Sequence, residues 1–157
     1  MEYTFSYASP LGKIMLTSDG DALTGLQFDR PKGGADTPLP VFTETVRWLD
    51  MYFGGKKPDF TPPLRMDATP FRRSVWELLL TIPYGDFVTY GQLAEQLAQK
   101  QGLPHMSAQA VGGAVGHNPI LLIVPCHRVV GADGSLTGYA AGLDRKCRLL
   151  AMEQGML

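Results

Sequence analysis

Ten residues, Gly54 to Pro63, hold two glycines and three prolines, and the hydrophobic period differs on their two sides. A stretch of that kind ends any regular element, so one sheet running through both halves of the chain is disfavoured. On the N-terminal side the pattern has period two. Tyr3, Phe5 and Tyr7 alternate with Glu2, Thr4 and Ser6; Lys13 to Ser18 is a second run, and Leu23 to Asp29 a third, with Leu26 and Phe28 on one face. Pro10 and Gly12, then Asp19-Gly20-Asp21, supply the turns. Three short runs joined by tight turns predict an antiparallel meander. Its apolar face needs a cover. Val41 to Phe53 offers one, with Phe42, Val46, Leu49 and Phe53 at helical spacing. Arg30 to Pro40 reads as a loop.

Beyond Pro63 the period changes to that of helices. Thr69 before Pro70 is a helix start, a cap followed by proline at the first helical position. Phe71, Val75, Leu78 and Leu79 form its stripe, and Pro83 and Gly85 close it. Tyr90 to Ala98 reads as a second helix and Ser107 to Gly116 as a third, separated by a loop at Gln101–His105. Ile120 to Val124 is a short apolar run closed by Pro125. Leu143 to Gln154 reads as a last helix with Leu143, Cys147, Leu150 and Gln154 on its apolar stripe, which would bury Cys147 as an inert thiol.

Composition narrows the function. The 157 residues are 45% hydrophobic and 18% charged, enough for one globular domain or two small ones. A net charge of −1 excludes a histone-like nucleic-acid binder. It leaves room for a local surface, however: no Asp or Glu occurs from Gln96 through Ala132. An acid-free face tolerates a polyanion; a partly buried core segment would read the same way. Two cysteines build neither a disulfide framework nor a four-cysteine zinc site. No apolar run approaches the ~18 residues of a membrane span, and the first residues show no signal core. A cytoplasmic protein is the expectation.

The chemistry centres on Ile123-Val124-Pro125-Cys126-His127-Arg128-Val129-Val130-Gly131. A thiol attacks as thiolate, and a neighbouring imidazole can take its proton. Adjacent residues on an extended strand point to opposite faces, so a Cys–His relay here needs a turn or a bridging water. Alone, such a pair is more often a buried structural cysteine beside an incidental histidine. Around it stand Val111-Gly112-Gly113-Ala114-Val115-Gly116-His117-Asn118-Pro119, Ile82-Pro83-Tyr84-Gly85-Asp86, Thr89-Tyr90, Gly138-Tyr139 and Glu153. Together, from about Thr69 to Glu153, these closely resemble the O6-alkylguanine-DNA alkyltransferases, the methylated-DNA–protein-cysteine methyltransferases. Residues 1–63 match that family only in general plan.

The resemblance implies an α+β protein. Residues 1–63 would form the sheet-plus-helix domain, and residues 64–157 a mainly helical, winged-helix-like domain for DNA binding and alkyl transfer. It implies suicidal repair of double-stranded DNA. A guanine alkylated at O6 is flipped out and its alkyl group moves irreversibly to Cys126; O4-alkylthymine is a second candidate substrate. By the same resemblance, His127 would activate Cys126 through water and Glu153 would orient His127. Asn118 would brace the loop, and Tyr90 would offer its hydroxyl to the flipped base. The carbonyls of Cys126 and Val129 would take the guanine amino group, with Tyr139 and the Ala140 N–H lining the pocket.

Tyr90–Ala98 and Ser107–Gly116 would be a helix-turn-helix. The second of these is rich in glycine and small residues, which costs roughly 1 kcal/mol per glycine against alanine but suits close approach to a minor groove. Ser107, Gln109, Ala110, Gly112, Gly113 and Arg128 are its expected DNA contacts, with Lys100 or His105 reaching the backbone. Gln109 stands where many members have an intercalating Arg. Arg128 would also pair with a helix-end acid such as Asp144. No cofactor, no metal, no membrane and a monomer are expected. The competing readings are a lesion-binding sensor without chemistry, against which Cys126 argues, and a Cys-His hydrolase, whose histidine usually lies far from its cysteine in sequence.

Overall fold

A computed structural model describes residues 1–30, 34–136 and 138–156. Its chain divides into two units. The first is Met1–Met66 together with Pro119–Leu121; the second is Asp67–Asn118 and Leu122–Leu157.

In the first unit β1 (Tyr3–Ser9), β2 (Gly12–Ser18) and β3 (Leu23–Phe28) form an antiparallel sheet in sequence order. Phe5 faces Leu16, and Leu16 faces Leu26, so the alternating apolar positions share one face. Gly25 is required by space: a Cβ there would lie 2.4 Å from Thr17 Oγ1. Helix α1 (Pro40–Phe53) carries aromatic groups to the sheet, with the Phe5 and Phe42 rings 5.6 Å apart. Its buried face is Val41, Phe42, Thr45, Trp48, Leu49 and Tyr52. The expected stripe held two of these, Phe42 and Leu49. Val46 and Phe53 sit at the margin, because tryptophan and tyrosine turn the buried face by a fraction of a turn. Leu49 is fully buried, so Leu49→Ala should cost about 2–5 kcal/mol.

The Pro-rich stretch is not a free linker at its far end. Leu23 N–H donates to the Pro63 carbonyl at 2.8 Å, and Arg65 N–H to Leu23 at 2.9 Å. These bonds carry the first unit to Met66 rather than to residue 63. The excursion Pro119–Leu121 is bonded to β3 in the same way, through Leu26 N–H to Pro119 at 2.9 Å and Leu121 N–H to Leu26 at 3.0 Å.

The second unit contains α2 (Pro70–Leu79), β4 (Val88–Thr89), α3 (Tyr90–Lys100), α4 (Ala108–Gly116), a 3₁₀ turn (Cys126–Arg128), β5 (Val129–Val130) and α5 (Leu143–Glu153). Local signals set the helix starts. Thr69 Oγ1 accepts from Arg72 N–H at 3.3 Å, and Thr89 with Gln92 forms a reciprocal capping box. Ser107 Oγ accepts from Ala110 N–H at 3.2 Å. The α4 C-terminus leaves carbonyls without helical partners. Trp76 Nε1 donates to the Ala114 carbonyl at 2.8 Å, and His117 Nδ1 meets the Gly113 carbonyl at 2.7 Å. Strand β4 pairs parallel with β5, which brings the start of α3 beside the segment following Cys126. No helix among the described residues is long and apolar enough to cross a membrane.

Candidate active site

Pro125 has no N–H to offer a strand ladder, and the chain turns there. Cys126 N–H donates to the Val124 carbonyl at 2.8 Å and Arg128 N–H to Pro125 at 3.0 Å. In the resulting 3₁₀ turn, successive side chains diverge by about 120°, not by the half-turn of a strand. Cys126 is buried at 5% exposure. Asn118 Nδ2 donates to the Val124 carbonyl at 2.7 Å, and its side chain also hydrogen-bonds the Cys126 sulfur. Burial pushes the Cys126 thiol up to about 11; the Asn118 hydrogen bond and the nearby Lys146 charge oppose that without cancelling it. The resting thiol is therefore protonated and needs a base. Leu122, in the same loop, holds a left-handed backbone with φ 70°, a strained conformation for a residue other than glycine.

His127 and Glu153 form a fully buried pair, with Nε2 2.6 Å from Oε2. Arg128 Nε donates to the other carboxylate oxygen, Oε1, at 2.7 Å. Burial alone would raise the Glu153 carboxyl; His127 and Arg128 outweigh it and hold Glu153 at about 2. Burial lowers the His127 imidazole, against the opposing pull of Glu153. At rest the carboxylate is charged and the imidazole neutral. The carboxylate then fixes the proton on Nε2 and leaves Nδ1 as the basic nitrogen. Nδ1 is buried and has no hydrogen-bond partner among the described residues.

Lys146, which the sequence reading passed over, is fully buried on α5. Its Nζ donates to the Val129 carbonyl at 2.6 Å and to Gly138 at 3.1 Å, and lies 5.9 Å from the centre of the Tyr90 ring. The Val129 carbonyl, expected to take a guanine amino group, thus already holds one donor and keeps one lone pair. The Cys126 carbonyl likewise accepts the Val129 N–H. Tyr139 places its ring edge-on to His127 at 6.4 Å, and its buried hydroxyl has no partner among the described residues. Tyr90 opens α3 with its ring against Gly112, where a Cβ would lie 3.6 Å away. Ala140 is exposed.

Helix α5 corrects the hydropathy reading. Its buried face is Lys146, Leu149 and Glu153; Leu143, Cys147 and Gln154 are exposed. Two charged residues face inward because each finds buried partners, so the buried face is not the apolar stripe that hydropathy alone selects. Cys147 is accordingly not a buried thiol. Once Glu153 is placed in the site, Lys146 follows: seven residues earlier on a helix lies the same face. Arg128 also differs from expectation. It is buried, pairs with Glu153, and is withdrawn from the DNA-facing set; Asp144 pairs with Arg148 at 3.3 Å instead.

The other expected DNA contacts lie along α4. Ser107, Gln109, Ala110 and Gly113 are exposed and Gly112 is half-buried, while Val111, Ala114 and Val115 pack inward. Gln109 is the one long side chain projecting from the exposed face of the helix itself. His105 and Lys100 are exposed beside it in sequence. No group of three or more potential ligands could hold a metal among the described residues.

Comparison with known proteins places this arrangement. Residues 70–155 match the 6-O-methylguanine DNA methyltransferase DNA-binding domain, and residues 2–66 match the ribonuclease-like domain of the same proteins. The methylated-DNA–protein-cysteine methyltransferase of Mycobacterium tuberculosis is 45% identical over 151 residues, covering 93% of this chain and 88% of that protein. The Methanosarcina acetivorans protein of the same name is 40% identical, covering 96% and 97%. The crystal structure of Mycobacterium tuberculosis OGT in complex with DNA superposes with a TM-score of 0.82 at 41% identity, covering 99% of this chain and 93% of that one. With a buried Cys–His–Glu constellation in the second unit and matches running through both units, the chain belongs to the 6-O-methylguanine DNA methyltransferase family.

Proposed function

We propose that this protein repairs O6-alkylguanine in double-stranded DNA by moving the alkyl group onto Cys126. The observation that carries the assignment is the buried relay: a thiol held by Asn118, beside an imidazole whose Nε2 is committed to Glu153 and whose Nδ1 is unpartnered. The names of the relatives supply the substrate class.

In this reading the Cys126 proton passes through one water to His127 Nδ1, and Glu153 stabilises the imidazolium that forms. The thiolate attacks the alkyl carbon. A C–S bond forms as the C–O6 bond breaks, and the electron pair leaves on guanine O6. A proton from the Tyr90 hydroxyl neutralises the departing base. The nearby Lys146 charge offsets the thiolate before attack. The thioether is stable, so each molecule reacts once. The base must leave the stack, since a thiol buried to this degree cannot reach a paired guanine. The exposed small-residue face of α4 is the surface offered to the minor groove, with Gln109 as the wedge. All groups of the relay come from one chain, so a monomer suffices. Activity on O4-alkylthymine and residence in the cytoplasm belong to the same proposal.

The test is intact protein mass before and after exposure to a duplex containing O6-methylguanine. A gain of one methyl group, located on Cys126 by peptide mapping, is expected. Binding without mass gain would favour a lesion sensor, and turnover without an adduct would favour a hydrolase.

A further inference from the structure

Arg128 is buried without being part of the proton path just described, and a buried guanidinium is costly unless its donors are used. Here they are used on two segments. Nε meets Glu153 Oε1 on α5 at 2.7 Å, and Nη1 meets the Ile82 carbonyl, just past α2, at 2.7 Å. The guanidinium also lies 5.7 Å from the centre of the Tyr84 ring. The two oxygens of Glu153 are thereby divided: Oε2 serves His127 and Oε1 serves Arg128, with Gly85 N–H at 3.4 Å from Oε1. A carboxylate with one oxygen pinned by a rigid fork presents the other in a fixed direction.

We propose that Arg128 is a positioning residue for alkyl transfer: it clamps Glu153 so that His127 keeps its proton on Nε2 and its lone pair on Nδ1. The proposal rests on the reading of Cys126, His127 and Glu153 as the relay. The ionisable groups facing the Glu153 carboxylate are His127 and Arg128 from the 3₁₀ turn, Tyr84 from the loop after α2, and Tyr139 from the segment before α5. Lys146 completes the set acting on His127, whose chain neighbour is Cys126. Removing the Arg128 charge favours protonation of both Glu153 and His127. The acid limb of the rate therefore moves to higher pH.

The experiment compares wild type with Arg128→Met, Arg128→Lys, Glu153→Gln and the double variant Arg128→Met/Glu153→Gln. Single-turnover methyl transfer from an O6-methylguanine duplex is followed across pH, and ¹⁵N shifts of the His127 ring are recorded on unreacted protein. In Arg128→Met, transfer near neutrality should fall about ten- to a hundredfold. Its acid limb should rise by about one pH unit or more, and the His127 ring should populate both tautomers. Arg128→Met should add little to the slowing already caused by Glu153→Gln. Arg128→Lys keeps the charge but not the fork, so its acid limb should stay in place while the plateau rate drops several-fold.

Uniform slowing at all pH with a single Nε2–H tautomer would overturn the clamp. So would equal slowing by Arg128→Met in the Glu153→Gln background, or a wild-type rate in Arg128→Lys. Should Arg128→Met not fold, Arg128→Lys decides. A wild-type protein that gains no methyl group would sink the relay reading instead, while the ring shifts still decide whether Arg128 orients His127.

Discussion

Helices α4 and α5 solve opposite problems with opposite compositions. Helix α4 presents Ser107, Gln109, Ala110 and Gly113 outward, and nothing in it is charged. Helix α5 is strongly charged, yet turns Lys146 and Glu153 inward around Leu149. A surface built to approach a partner closely gains from short side chains. A site built to move a proton gains from charges held away from water, where each interaction is stronger. Hydropathy therefore describes α4 correctly and inverts α5.

The largest effect should come at the centre of the buried side. Cys126→Ser should abolish methyl transfer, since a serine hydroxyl is far harder to ionise than a thiol. Duplex binding through α4 should persist. The check is intact mass together with a gel-shift titration. Label accumulating on Cys126→Ser at a rate near that of wild type would mean that the acceptor lies elsewhere.

Glu153→Gln should come next, and it affects both activity and stability. Transfer should slow because the tautomer of His127 is no longer enforced. The fold should lose about 3–5 kcal/mol because Arg128 is left buried without its counter-charge. The pH dependence has a defined sign. The folded carboxyl of Glu153 lies at about 2 against an ordinary 4.5. Its stabilisation is thus complete above about pH 4.5 and disappears as pH falls toward 2. His127 acts in the same direction, since its folded pKa lies below the ordinary 6.5 and the unfolded chain takes up the proton first. Denaturant titrations from pH 7 to 3 should show wild type losing stability from about pH 6.5 downward. Glu153→Gln should lack the component below 4.5. Parallel curves for the two proteins would place the carboxylate outside the core.

What could be read in the sequence divides along the same line. The meander and α2 follow from side-chain period and from the cap at Thr69, both of which are local. The Cys126–His127 pair and Asn118 were legible as a motif. The destinations of Arg128 and Lys146 were not, because a buried cation is decided by acceptors distant in the chain: Ile82 and Glu153 for one, Val129 and Gly138 for the other. The extension of the first unit to Met66 was hidden for a like reason, since the Pro63 and Arg65 bonds go to Leu23.

On the exposed side the effects are smaller. In the proposed wedge role Gln109 would fill the vacated stack without adding charge. Gln109→Arg should tighten duplex binding and steepen its salt dependence by up to about one unit of slope. Gln109→Ala should slow repair of duplex several-fold while leaving reaction with free O6-methylguanine base nearly unchanged, because only the duplex needs a wedge. Equal slowing on both substrates would mean that Gln109 supports the pocket rather than the flipped-out state.

The smallest effect on transfer should be at Cys147, and it tests the orientation of α5 most directly. Both cysteines are free thiols, Cys147 exposed and Cys126 buried. The thiol of Cys126 is raised to about 11, so little thiolate is present at neutral pH and reagent access is poor. A water-soluble disulfide reagent should therefore react in two phases, one equivalent fast and one slow. Cys147→Ser should remove the fast phase and leave the methyl-transfer rate and the thermal midpoint essentially unchanged, because no core contact is lost. Prior alkylation by the duplex substrate should remove only the slow phase. A single slow phase from both thiols in the folded protein would restore the stripe of Leu143, Cys147 and Leu150 as the buried face, and would turn Lys146 and Glu153 back toward solvent.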